Sequence, residues 1–281
     1  MNAKFLTWEQ AVEWLKSQPQ REKLVKACYY DDPLLAAAQR FADSEEWQAV
    51  CEVLQPWMPG KVLDMGAGNG ISSYAFASSG CTVTALEPDA SLTVGAGAIR
   101  QLAQQANLNI IVEQTFAETL PFADESFDIV HCRQVLHHAA NLGQLCREAT
   151  RVLRPGGVFI ATREHVISKP EDLEAFLSSH PLHSFYGGEN AFLLGEYCRA
   201  ISEAGLVLRK VYGPSESVIN YFPTTRSQNR EKIAAWLEKY LGKSVANWLA
   251  SQRSFVSFVG RFRSWLDRTP GRLYSFVALK P

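Results

Sequence analysis

Three glycines recur at every second position in the run Asp64-Met65-Gly66-Ala67-Gly68-Asn69-Gly70, directly after the apolar pair Val62-Leu63. Glycine lets a backbone turn sharply, and without Cβ atoms a ligand can lie against it. A helix opening there adds unpaired N–H groups to the cradle. Glu87 follows 21 residues after Gly66, at a spacing that lets its carboxylate accept from both hydroxyls of a ribose. Together these residues predict a nucleoside-containing cofactor. Further along, His137 and His138 stand side by side and His165 lies at the end of another apolar run. Histidine titrates near neutrality, so each is a candidate general base. Arg133 can hold a carboxylate or phosphate of a substrate, or pair with Asp128 or Glu148 as part of the framework.

Two cofactor classes compete for the glycine turn. A dinucleotide brings a pyrophosphate, which a neighbouring carboxylate repels. Asp64 sits two residues before the first glycine. A carboxylate there suits a cation, and S-adenosylmethionine offers an ammonium, a ribose and no phosphate. The electrostatics favour the methyl donor over NAD.

These residues need elements to place them. KVLDM reads as a strand entering the turn, followed by a small-residue helix that ends at Gly80. CTVTALE, NIIVEQ, FDIVHC and VFIATR read as four further strands, with helices near 91–106 and 141–153 between them. Alternation of this kind implies right-handed crossovers and a parallel sheet covered on both faces. LVLRKVY and RLYSFVALK are later strands; a helix precedes the first near 192–204, and residues 166–191 read as loop. Before the sheet, Thr7 with Gln10 has capping-box spacing, and Ser44 precedes an apolar series at helical period.

Four blocks, VLDMGAGNG, TALEPD, AETLPFADESFDIVHCRQVLHH and RVLRPGGVFIAT, resemble in order and spacing the class I S-adenosylmethionine-dependent methyltransferases, particularly the bacterial small-molecule group, over roughly residues 60–165. The resemblance implies an α/β fold with a Rossmann-like seven-stranded sheet, six strands parallel and one antiparallel, helices on both faces. It implies that Asp64, Gly66, Ala67 and Gly68 line the methionine end of the cofactor, and that Glu87 holds the ribose with Pro88 beside the adenine. Ala117 and Glu118 lie along the adenine edge, and Cys132 and Arg133 flank the sulfonium. Many relatives carry an acid before the Ala-Glu pair; this chain has Phe116, which shifts adenine recognition toward stacking or backbone contacts. The implied organisation is a helical N-terminal extension or lid (1–58), a cofactor-binding core (59–212), a basic helical insertion (213–271) and the last strand (272–281). Tyr29 and Tyr30 are candidates to fold over the cofactor. Tyr186 and Asn190, in the segment HSFYGGENAFLLGEY, are candidates for the acceptor pocket.

The chain has 281 residues, 47% apolar and 20% charged, enough for a substantial core and too apolar for disorder. No run approaches a membrane span, and the opening residues lack the pattern of a secretory signal. Six scattered cysteines without CxxC spacing fit free thiols in a reducing cytoplasm, and no metal-ligand spacing is visible. Residues 1–208 hold 15 basic and 25 acidic side chains, whereas residues 209–281 hold 13 and 4. The basic excess, with an apolar stripe through 230–266, has three readings: a lid over a small, anionic acceptor, a cationic face for membrane, or a nucleic-acid face. Such a stripe is more often core, so the lid leads. The expected activity is methyl transfer to a small molecule, on oxygen before nitrogen or carbon. The alternatives are an RNA or protein methyltransferase, a non-catalytic cofactor-binding protein, or an oxidoreductase if the Asp64 argument fails.

Overall fold

A computed structural model describes residues 6–281. Four helices come first: α1 (Trp8–Lys16), α2 (Glu22–Ala27), α3 (Leu34–Ala42) and α4 (Glu45–Leu54). Thr7 caps α1 in a full capping box with Gln10, and the Ser44 side chain caps α4 through the Trp47 N–H. β1 (Lys61–Met65) then leads into α5 (Ile71–Ser78), β2 (Thr82–Leu86) into α6 (Ala96–Ala106) and β3 (Ile110–Glu113). β4 (Phe127–Arg133), α7 (Leu142–Val152) and β5 (Leu153–Ile167) complete the parallel core.

The sheet order is β3-β2-β1-β4-β5-β8-β7, with β7 at Val207–Tyr212 and β8 at Arg272–Leu279. Neighbours from β3 to β5 are parallel, and β8 runs antiparallel to both β5 and β7. An eighth, two-residue strand, β6 (Phe192–Leu193), adds to the expected seven by pairing with the end of β5. The switch in strand order falls between β1 and β4, which places a ligand crevice beyond their carboxyl ends. Alternate residues feed opposite cores: Leu63, Val130 and Phe159 pack on one face, while Val62, Ile129 and Val158 pack on the other.

The stretch 166–191 is more ordered than its Pro and Gly content suggested. It holds the end of β5, then α8 (Asp172–Ser179) and α9 (His183–Tyr186). Phe176 and Leu182 bury their side chains, which gives these short helices an apolar anchor. α10 (Leu194–Glu203) follows, its start held by Glu196, whose carboxylate accepts from the Leu193 N–H at 2.7 Å. Between β7 and β8 come α11 (Val218–Tyr221), α12 (Arg226–Leu241), α13 (Lys243–Ser251) and α14 (Arg253–Leu266). Ile233, Leu237, Ala246 and Ala250 form a small core that α12–α14 share among themselves. The rest of the stripe does not close over the sheet: Trp236, Tyr240, Trp248, Phe258, Phe262 and Trp265 are each more than half exposed. The stripe forms a helical lobe joined to the residues after β7, where Ser264 Oγ on α14 accepts from the Ser215 N–H at 3.0 Å. No described helix is long and apolar enough to cross a membrane.

Candidate active site

The glycine turn behaves as its residue types require. Gly66, Gly68 and Gly70 all have positive φ, at 63°, 57° and 85°. At Gly66 an added Cβ would lie 2.7 Å from a Val135 methyl, so this glycine allows the segment after β4 to close against the turn. At Gly68 an added Cβ would meet nothing within 4 Å, so here the turn faces open space. Glu87 braces that spot. One carboxylate oxygen accepts from the Gly68 N–H at 2.7 Å and the other from the Asp89 N–H at 3.0 Å. Burial pushes its pKa up to about 7; the two N–H bonds oppose the rise, and Asp89 and Asp64 add to it. An open glycine beside a desolvated carboxylate with lone pairs to spare fits the ribose end of an adenosyl cofactor.

Asp64 lies near the end of β1, just before the glycine turn. It is 1% exposed, and its carboxylate accepts from Ser73 Oγ at 2.6 Å and meets His131 Nδ1 at 2.7 Å. It therefore ties β1 to α5 and β4 beneath the turn. Cys132 is fully buried in the core, because its side chain points to the apolar face of β4. Ala67 is buried, Pro88 exposed, and Ala117 half-buried. Glu118 accepts from the Ala140 N–H at 3.1 Å, which joins the adenine-edge loop to the loop beyond β4. Phe116 is 70% exposed.

Arg133 pairs neither with Asp128 nor with Glu148, which Arg154 and Arg151 occupy. Its partner is Glu46 on α4, fully buried, at 2.7 Å and 3.2 Å from two guanidinium nitrogens. The Arg163 guanidinium stands 3.7 Å from the same carboxylate. Tyr29 lies inside this N-terminal packing, 1% exposed, its ring edge-on to Phe41 and near Arg133. Its carbonyl accepts from Asn69 Nδ2 at 2.8 Å, which fastens the N-terminal segment to the glycine turn. Tyr30, half-buried, walls a cavity of about 360 Å³ there together with Asn69, Leu92 and Thr93.

α1 forms a roof over the crevice. Glu9 accepts from Ser91 Oγ at 2.6 Å, and Trp8 packs on Tyr186 with ring centroids 4.6 Å apart. Trp14 stacks on Phe185 at 4.1 Å. Beneath Tyr186 lies the cluster that the histidines build. His137, 1% exposed, has Nδ1 2.7 Å from Glu164 and Nε2 3.6 Å from Glu189. Burial disfavours its cation, but the two glutamates prevail and raise its pKa to about 9. His165 Nδ1 donates to the Gly271 carbonyl at 2.8 Å, and burial beside His137 lowers its pKa to about 4. His138 is exposed, with Nδ1 donating to the Gly188 carbonyl at 2.9 Å. Tyr186 Oη donates to Glu189 in a short bond. Asn190 is half-buried next to it.

Thus the three histidines come together, with Tyr186, while Tyr29, Cys132 and Arg133 belong to the framework. Sequence reasoning missed Glu46, Glu164, Glu189 and His180. Glu46 reads as an ordinary first-turn acid of a helix, and nothing local says that two arginines lie across from it. Glu164 carried the better signal, as an acid adjoining His165 at the end of an apolar strand.

A mostly parallel sheet with one antiparallel strand, a glycine turn after β1 and an acid following β2 are features shared with the class I S-adenosylmethionine-dependent methyltransferases, which this chain resembles. Residues 63–161 match the family described as a methyltransferase domain. The chain is 30% identical to the uncharacterized methyltransferase YcgJ of Bacillus subtilis, over 47% of this chain and 50% of that one. It is 26% identical to 27-O-demethylrifamycin SV methyltransferase of Amycolatopsis mediterranei, over 79% of this chain and 77% of that one. It spans half or less of the length of the first curated relatives it matches. Among solved structures, a geranyl diphosphate methyltransferase in complex with SAM superposes with TM-score 0.57 at 15% identity, covering 99% of this chain and 96% of that one; the likeness is one of fold.

Proposed function

We propose that the protein transfers a methyl group from S-adenosylmethionine to a hydroxyl oxygen of a small molecule held under the roof. The observation that carries this reading is the open turn at Gly68, braced by Glu87, beside a histidine–carboxylate cluster beyond β4 and β5. When bound, the cofactor supplies a methyl group on a sulfonium, an activated leaving group. What remains for the protein is orientation, exclusion of water and removal of one proton. Glu87 accepts from the ribose hydroxyls, Gly68 lets the cofactor lie against the backbone, and Phe116 stacks at the adenine. Asp64 holds Ser73 and so the first turn of α5.

Of the three histidines, His138 is placed to relay the acceptor proton to solvent, since it is exposed and its Nδ1 already donates to Gly188. Arg133 and Arg163 are turned to Glu46, which favours a neutral hydroxyl-bearing acceptor over an anionic one. The roof built from α1 and residues 181–189 suits a small molecule better than RNA or protein. The likeness over most of both chains to an enzyme named for a 27-O-demethyl substrate supports oxygen as the acceptor atom. Calorimetric titration with S-adenosylhomocysteine, with NAD as control, tests the reading. Micromolar binding of the first alone, weakened at least tenfold in Glu87→Ala, is the expected result. Binding of NAD, or of neither ligand, overturns it.

A further inference from the structure

The sequence carries no metal-ligand spacing, yet the fold assembles one from three separate segments. A ring nitrogen of His137, a ring nitrogen of His165 and a carboxylate oxygen of Glu189 all lie within 4.8 Å of one another. Donors on one zinc-sized ion stand roughly 3 to 4 Å apart, given metal–ligand bonds of about 2.0–2.2 Å. The 3.6 Å between His137 Nε2 and Glu189 already meets that, and small side-chain movements bring in His165.

We propose that His137, His165 and Glu189 bind a divalent transition metal of the zinc or ferrous type, with His180 in reach as a fourth ligand. The inference rests on the methyltransferase reading only for its use in catalysis.

Three observations support it. First, both histidines have their Nδ1 atoms engaged, His137 by the Glu164 carboxylate at 2.7 Å and His165 by the Gly271 carbonyl at 2.8 Å. A carbonyl can only accept, so His165 carries its proton on Nδ1 and offers Nε2 as a lone pair. Carboxylate and carbonyl partners of this kind orient metal-bound histidines generally. Second, His180 Nε2 lies 3.7 Å from the other Glu189 oxygen, and His180 Nδ1 is buried with no hydrogen-bond partner among the described residues. An unpartnered buried ring nitrogen beside the cluster is costly unless a ligand employs it. Third, Glu164 and Glu189 are both buried, with His137 wedged between them and both nearby arginines spent on Glu46. A divalent cation at His137 Nε2 would set positive charge beside these two buried carboxylates. Two imidazoles with one carboxylate select borderline metals over calcium or magnesium, and they leave positions open for other ligands.

The cluster lies just beyond β4 and at the last residues of β5, under Tyr186, where the acceptor is placed by the reading above. An acceptor hydroxyl in an open position is acidified by the metal and gives up its proton to solvent water. The metal-held oxygen then attacks the sulfonium methyl. One C–O bond forms as the C–S bond breaks, the sulfur leaves as a neutral thioether, and the metal keeps its oxidation state. An acceptor with two adjacent oxygens is best suited to fill two open positions.

The test begins with elemental analysis of the purified full chain, followed by calorimetric titration of chelator-treated protein with Zn2+ and absorption spectra with Co2+. One metal per chain at micromolar affinity or better, with visible Co2+ bands, is the expected result. His165→Ala and Glu189→Gln should each weaken binding at least a hundredfold, and Glu164→Gln about 10–100-fold, as for partners one step back from a metal. S-adenosylhomocysteine titration of the same variants reports whether they fold. If His165→Ala fails to fold, His180→Ala, on a different element, should still weaken Zn2+ binding and shift the Co2+ bands. No binding, or binding unchanged in every variant that retains S-adenosylhomocysteine affinity, overturns the site. Metal-free protein that still binds S-adenosylhomocysteine but never Zn2+ defeats this inference while leaving the methyltransferase reading intact.

Discussion

The crevice under α1 and the lobe of α12–α14 handle burial in opposite ways. Under the roof, Glu46, Glu164, Glu189 and His137 are nearly inaccessible, and each has a partner of opposite charge within 3.6 Å. On the lobe, large aromatics sit half in water, while only four small or aliphatic residues form a buried centre. The crevice spends desolvation energy on charges, which is unfavourable for stability and is characteristic of a functional site. The lobe leaves apolar area unburied and contributes little to the fold. Function therefore shows in the first region as buried charge, and stability should respond there far more strongly than in the second.

The largest effect is expected at Glu46. Its removal leaves Arg133 and Arg163 as buried cations without a counter-charge. Breaking such a pair costs about 3–5 kcal/mol. Urea unfolding of Glu46→Ala should show that loss, and a change below about 1 kcal/mol would mean that water reaches the arginines and that the roof is looser than the structure has it.

Glu87 comes next, with an effect that pH can switch. Its folded pKa is raised to about 7 from an ordinary 4.5, chiefly by burial. The ligand-free folded state therefore holds a proton that the unfolded chain has lost in the window between those values. The stabilising contribution is full below about pH 4.5, falls as pH rises toward 7 and is gone above it, a change of about 3 kcal/mol at 1.36 kcal/mol per pKa unit. Glu87→Gln should flatten this dependence and raise stability at pH 8, while weakening S-adenosylhomocysteine. Melting curves from pH 4.5 to 8 on both proteins check the sign. A stability difference, Glu87→Gln minus wild type, that fails to grow across that window would refute the burial argument, because His165, held near 4, contributes the opposite slope equally to both proteins.

Much of this contrast was legible beforehand, and the exceptions have physical causes. The strands, the glycine turn and Glu87 are local signals: period-two apolarity, residues that tolerate positive φ, and one spacing. The caps at Thr7 and Ser44 are likewise local. What could not be read was pairing across the fold. Arg133 chose Glu46, 87 positions away, over the nearer Asp128 and Glu148. Asp64 stands where the glycine motif puts it, yet Ser73 and His131 claim its carboxylate. The stripe on 230–266 has helical period, but period alone does not say which neighbour, if any, covers it. Only Ile233 and Leu237 of its larger residues found cover.

The smallest effect should come from the lobe. Trp248 and Trp265 are 62% and 66% exposed, and residues 239–266 carry Lys239, Lys243, Arg253, Arg261 and Arg263 with no acid among them. An aromatic that folding leaves in water gives up little when replaced, since hydrophobic stabilisation scales with the area removed from solvent. Surface changes of this sort stay within about 0.5 kcal/mol. The double variant Trp248→Ser with Trp265→Ser should therefore unfold at the same urea concentration as the wild type and bind S-adenosylhomocysteine equally well. Truncating a buried aromatic such as Phe76, which α5 packs between Trp47 of α4 and His131 of β4, should by contrast cost about 3–5 kcal/mol. A loss above 2 kcal/mol in the double variant would show that the exposed face is covered in solution, and the two regions would then differ less than their burial implies.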